Sequence, residues 1–101
     1  MEFGVTMFVT DYSISATDLA GAIEERGFDA LFVPDHTHIP SARTSPFTGG
    51  DVLPDDYIRN HDMFTTLTAA AAVTKRIRLG TGICLVVERD PIITAKQIAS
   101  L

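Results

Sequence analysis

Apolar runs long enough to cross a bilayer are missing from this sequence, and so are clusters of lysine and arginine. A membrane helix needs about 20 consecutive apolar residues, and no segment approaches that length. The N-terminus, MEFGVTMFVTDY, lacks the basic start and apolar centre of a secretory signal. A cytoplasmic chain with no membrane span is the expectation. Eight basic residues stand against thirteen acidic ones, a net charge of −5, and without a basic patch nucleic acid is a poor partner. Small molecules or other proteins fit better. Cysteine occurs once, as Cys84 inside the apolar run ICLVV, so no intrachain disulfide can form and a buried reduced thiol is expected. Internal repeats and low-complexity tracts are also absent.

What remains is a chain of 101 residues, 46% apolar, which is the composition of a globular protein with a core. FGVTMFV (3–9) is nearly all apolar and rich in β-formers, as in a strand buried on both faces. Ser15 with Asp18 three residues later starts a helix over 16–26, Leu19, Ala22 and Ile23 form its apolar stripe, and Gly27 supplies a left-handed stop. ALFV (30–33) is a second strand. After Pro34 an aperiodic segment of small and turn-forming residues runs to His61, with a loop tip at Gly49-Gly50-Asp51.

Asp62 then caps a second helix, MFTTLTAAAAVTK, with Phe64, Leu67 and Ala71 on one side and Lys75 and Arg76 near the negative end of its dipole. IRLGTGICLV (77–86) is a third strand, interrupted by Gly80 and Gly82. Asp90 caps and Pro91 opens a third helix. The order β-α-β-α-β-α predicts an α/β fold with parallel strands whose carboxyl ends share one face. Three such strands leave two open edges, which could bind a second copy or another partner. A closed (β/α)₈ TIM barrel takes about 250 residues, so residues 1–101 are expected to be one partial domain, its first three βα units.

Ligands in parallel α/β folds bind beyond the carboxyl ends of the strands. Three segments converge there: Thr10 to Ser13, Pro34 to His61, and Gly82 to Asp90. The second is several times longer than the 2–6 residues usual for a βα loop, the length of a lid or binding loop. Asp35 and His36 leave the second strand at its end. Histidine is the side chain that exchanges protons nearest neutral pH, and an adjacent carboxylate can orient it; the same two residues also suit an ordinary turn.

His36-Thr37-His38 has the spacing of a metal-binding pair, which opens a second reading: a hydrolase in which zinc bound by His36 and His38 activates a water. Gly80-Thr81-Gly82 is too short for a phosphate-binding motif and marks a bulge or a close approach of a ligand or another backbone. Arg89 could meet an anion or lie solvated on the surface beside Asp90. Arg43, Arg59 and His61 carry the same two readings.

Four separate segments share one pattern: the strand FGVTMFV, the acid-histidine pair of LFVPDH, the stretch DMFTTLTAAAAVTKRIRLGTGI, and the closing P-x-x-x-A-K-Q-x-A-S-L. Together they resemble the N-terminal part of the luciferase-like monooxygenase superfamily, in particular its oxidoreductases dependent on the deazaflavin coenzyme F-420. The likeness covers essentially the whole chain. It implies a (β/α)₈ barrel with a deazaflavin, or alternatively FMN, across its C-terminal face, passing a hydride to or from a small organic substrate.

The position matching Asp35 then contacts the cofactor, and the one matching His36 sits at the reacting centre as proton donor, acceptor or electrostatic stabiliser. The Gly82-Ile83 bond matches a strand-three bulge in which a non-prolyl cis peptide presses on the cofactor ring. His38 acquires no role from the resemblance. Where several members carry a histidine shortly before the proline of the third helix, this chain has Glu88-Arg89-Asp90. A third of a barrel is expected to be inactive alone, since it cannot shield a reaction from water; a non-catalytic interaction fragment is the remaining alternative.

Overall fold

The Ser15 hydroxyl accepts the Asp18 amide at 3.1 Å and donates to the Asp18 carboxylate at 2.7 Å. This reciprocal cap starts helix α1, Ala16–Glu25, and Gly27, at φ +78°, ends it in the left-handed region where only glycine is unstrained. Every residue except Ser45 and Asp51 is described by this computed structural model, so part of the loop tip expected at Gly49-Gly50-Asp51 lies outside the described residues. Two further caps lie where the sequence puts them. Asp62 accepts the Thr65 amide at the start of α3, Met63–Val73. Asp90 accepts the amides of Ile92 and Ile93 ahead of Pro91 in α4, Pro91–Ser100.

Three parallel strands, β1 (Gly4–Thr6), β2 (Ala30–Val33) and β3 (Arg78–Thr81), form one sheet in that order. The α/β fold with parallel strands is thus in place. Helices α1 and α3 cover one face. Between them and the sheet lies an apolar cluster that includes Leu19, Ile23, Leu31, Val33, Met63 and Leu67. Among the described residues the other face is uncovered, which corrects the expectation of a first strand buried on both sides: Gly4 and Thr6 are exposed.

Phe32 lies on that open face, 39% exposed, with its ring reaching across all three strands. A methyl group built on Gly4 would lie 3.2 Å from Phe32 Cε2, and one on Gly80 2.7 Å from Cε1. Gly80 therefore marks the close approach of an aromatic side chain, where the sequence pointed to a ligand or a backbone.

Other boundaries also shift. The first strand leaves the sheet after Met7 donates to the Phe32 carbonyl, and its continuation joins the far end of the long loop through Thr10–Asn60 bridging and a bond from the His61 amide to the Val9 carbonyl. The third strand ends at Thr81, and a 3₁₀ turn occupies Val86–Glu88. Within the long loop a short helix, α2, spans Asp55–Arg59. The buried face of α3 runs through Met63, Phe64, Thr66, Leu67 and Ala70, so Ala71 sits beside the stripe instead of on it.

Past α3, the amides of Lys75, Arg76 and Ile77 all donate to the Glu24 carboxylate. The turn into β3 is therefore organised by α1, and Lys75 and Arg76 lie beyond the helix end. Cys84 is free and half-buried against the core, more open than the buried thiol expected. No helix among the described residues is long and apolar enough to cross a membrane.

Candidate functional site

At the carboxyl ends of the strands a cleft of about 400 Å³ opens. Asp35, His36, Gly82 and Ile83 all line it, so the four residues singled out in the sequence share one rim. The aromatic rings of Phe8 and Tyr57 complete its walls.

His36 leaves β2 just beyond Pro34 and Asp35, and its imidazole is held by rings. Phe8 stacks on it with centroids 5.9 Å apart and planes within 7°, while Tyr57 leans against it at 4.8 Å and 51°. Tyr57 also contacts Phe8 at 4.9 Å and takes the edge of Phe47 at 5.4 Å. Aromatic contacts of this kind favour one ring orientation over others. The long loop thus delivers a wall of the cleft through α2. Sequence reading missed Tyr57, although Asp55 and Asp56 before it and Arg59 after it are the charges expected at the two ends of a short helix.

Asp35 is buried and accepts three hydrogen bonds. Arg89 Nε lies 2.8 Å from Oδ2, Arg89 Nη2 2.5 Å from Oδ1, and the Leu85 amide 3.0 Å from Oδ2. The Arg89 guanidinium, first, holds the Asp35 carboxyl below the usual carboxylate range; burial opposes this and the Leu85 amide adds to it. The same pairing pushes Arg89 up. Its side chain is 10% exposed, sits over the Phe64 ring at 5.3 Å, and approaches Asp62 Oδ2 at 3.5 Å. Neither sequence reading of Arg89 holds as stated: it is no solvated arginine, and the anion it meets belongs to the chain itself.

Gly82 follows β3, and its peptide bond to Ile83 is cis. A methyl group built on Gly82 would have one atom within 4 Å beyond its chain neighbours, Phe32 Cβ at 3.5 Å. The backbone there borders open space, and Ile83 is 69% exposed. His38 does not line the cleft; its Nδ1 lies 2.8 Å from Thr37 Oγ1, which also donates to Glu88 at 2.5 Å. Among the described residues no three His, Cys, Asp or Glu side chains gather as metal ligands. Arg59 is half-exposed, paired with Asp11 and stacked on Tyr12, which is the surface role.

The sequence pattern of the luciferase-like monooxygenases matches residues 4–101. The chain belongs to this family. Within it, uncharacterized proteins of Mycobacterium bovis and Mycobacterium tuberculosis are 47% identical over 104 residues. That match takes in all of this chain and 37% of theirs, so the chain spans little more than a third of these relatives. A 5,10-methylenetetrahydromethanopterin reductase of Methanolobus tindarius is 30% identical over 101 residues, all of this chain and 24% of that enzyme. The reductase of the same name from Methanopyrus kandleri is 28% identical, with 23% covered. No solved structure matches the chain significantly. For a luciferase-like chain the three-stranded parallel sheet is the opening part of the barrel.

The cleft fits the planar ring of a flavin-type cofactor. Its walls are aromatic and its one buried carboxylate is matched by Arg89. At Gly82 the missing side chain leaves room that a Cβ would fill, beside exposed backbone that a flat ring could approach.

Proposed function

We propose that the protein is an oxidoreductase that transfers a hydride between a bound deazaflavin, coenzyme F-420, and a small organic substrate, with residues 1–101 forming the N-terminal part of one barrel domain. FMN is the alternative flavin. The observation that carries the reading is the common cleft, in which the His36 imidazole and the Gly82-Ile83 backbone line the same space behind aromatic walls. Two of its relatives being named reductases supports the reaction class.

When bound, the deazaflavin supplies the hydride or accepts it. The chain's own residues do the rest. Gly82 and Ile83 provide a surface for the ring, and Phe8 and Tyr57 exclude water and hold the imidazole. His36 gives or takes a proton at the reacting centre, or stabilises charge there. Asp35 stands beside it at the cofactor position, with its carboxylate already committed to Arg89 and Leu85.

The test is cofactor uptake and turnover by the complete protein, with F-420 and FMN titrated in parallel. Uptake of F-420 is expected, and His36→Ala should keep that affinity within a few-fold while turnover falls by about 10² to 10⁴, the usual contribution of a positioned acid or base. Failure to bind either flavin would overturn the assignment, and a His36→Ala variant with full turnover would remove His36 from the chemistry.

A further inference from the structure

We propose that Arg89 is the positioning residue of the cleft: its grip on Asp35 locks the segment that carries His36 to the segment that forms the opposite wall. The proposal deepens the hydride-transfer reading of the same site. Its geometric half can be measured without any cofactor.

Two of the segments lining the cleft follow β2 and β3, and among the described residues the backbone bond between them is that of the Gly82 amide, which donates to the Val33 carbonyl at 2.8 Å. Past that point the chains diverge, one towards His36 and the other through Ile83 to Leu85. Asp35 bridges them. Its carboxylate receives the Leu85 amide, which fixes the wall segment, and both arms of the Arg89 fork, which fix the segment's far end. A bidentate guanidinium–carboxylate pair sets angle as well as distance, something a single ammonium cannot do. Three of the roughly four acceptor positions of a carboxylate are thereby filled, so Asp35 acts through where it holds its neighbours more than as a free acceptor.

Arg89 is itself immobilised. Phe64, a core residue of α3, lies under its guanidinium, and Asp62, the α3 cap, stands at 3.5 Å. The position of His36 is thus referred through Arg89 to a helix of the hydrophobic core. The bond from Thr37 to Glu88 ties the same two loops a second time nearer the solvent, so loss of Arg89 should loosen the cleft without separating its halves.

The experiment compares wild type, Arg89→Met and Arg89→Lys in the complete protein. In the cofactor-free state, the imidazole proton shifts of His36 report its place against the Phe8 and Tyr57 rings, and hydrogen exchange reports the Leu85 amide. Arg89→Met should move the His36 signals towards those of a free imidazole and speed Leu85 exchange at least tenfold. Arg89→Lys, keeping the charge but not the fork, should fall between. With cofactor and substrate present, Arg89→Met should raise KM several-fold and lower kcat as well.

Unchanged His36 shifts and Leu85 exchange in Arg89→Met would overturn the proposal. Should that variant fail to fold, Arg89→Lys carries the test alone, and wild-type values in it would have the same force. If the shifts move as expected while no flavin binds, the positioning role stands and the hydride-transfer reading falls.

Discussion

The Asp35 carboxylate and the Arg89 guanidinium, 54 residues apart in the chain, meet through two hydrogen bonds with both side chains nearly out of solvent. Removing one partner from such a pair strands the other charge, at a cost of about 3–5 kcal/mol. Asp35→Asn should therefore lower stability substantially at pH 7. The pH dependence has a definite sign. Because Arg89 holds the Asp35 carboxyl below its ordinary value, the contribution is fully present above the unfolded-state pKa of about 3.9 and is lost as pH falls through the lower, folded-state value. Urea melts of wild type and Asp35→Asn from pH 7 to pH 2 should converge at the acid end; a constant gap would assign the loss to packing.

Tyr57 should act through its ring. It touches His36, Phe8 and Phe47, and aromatic pairs contribute about 0.5–1.5 kcal/mol beyond the area they bury. Tyr57→Ala in the complete protein should weaken flavin binding by about tenfold, or about 1.4 kcal/mol, while Tyr57→Phe should bind as wild type does. A phenylalanine variant as weak as the alanine one would move the role to the hydroxyl.

How far the sequence discloses this site follows from how far each signal travels along the chain. The caps at Ser15, Asp62 and Asp90 and the turn at Gly27 are decided within four residues, so they are readable and correct. The acid-histidine pair and the glycines are visible because they interrupt apolar strands at their ends. Arg89 is not readable in this way, because its burial depends on a partner across 54 positions. Tyr57 hides in a helix of five residues, too short to show a period. The expected strands run longer than the observed ones for a related reason: apolar composition marks residues that pack, and Phe8 and Val9 lie past the ladder with β2, whose last bond is made by the Met7 amide.

Glu24 gives a second acid-sensitive contact, of a different kind. Its carboxylate collects three successive backbone amides at the turn into β3, with distances to Oε2 of 2.9, 2.6 and 3.2 Å. The Arg76 amide, followed by that of Lys75, lowers its pKa. Glu24→Ala should leave those amides to water and reduce the melting temperature at neutral pH. The gap should narrow as pH drops below about 4.3, the ordinary glutamate value. Amide exchange at residues 75–77 should accelerate at the same time; protected amides in the variant would mean that the turn holds itself.

Gly80 is the place where one added carbon should be felt by the fold. A Cβ there would lie 2.7 Å from Phe32 Cε1 and 2.8 Å from Cδ1, closer than packed atoms can stand, so Gly80→Ala must push the ring aside. Overpacking of this sort costs about 1–3 kcal/mol. Because the cause is a single ring, Phe32→Ala should abolish the penalty, and the double-mutant cycle should return a coupling close to the full cost. Gly80→Ala is therefore expected to weaken the fold, and adding Phe32→Ala should restore it; a Gly80→Ala penalty that survives without the Phe32 ring would place the strain in the β3 backbone instead.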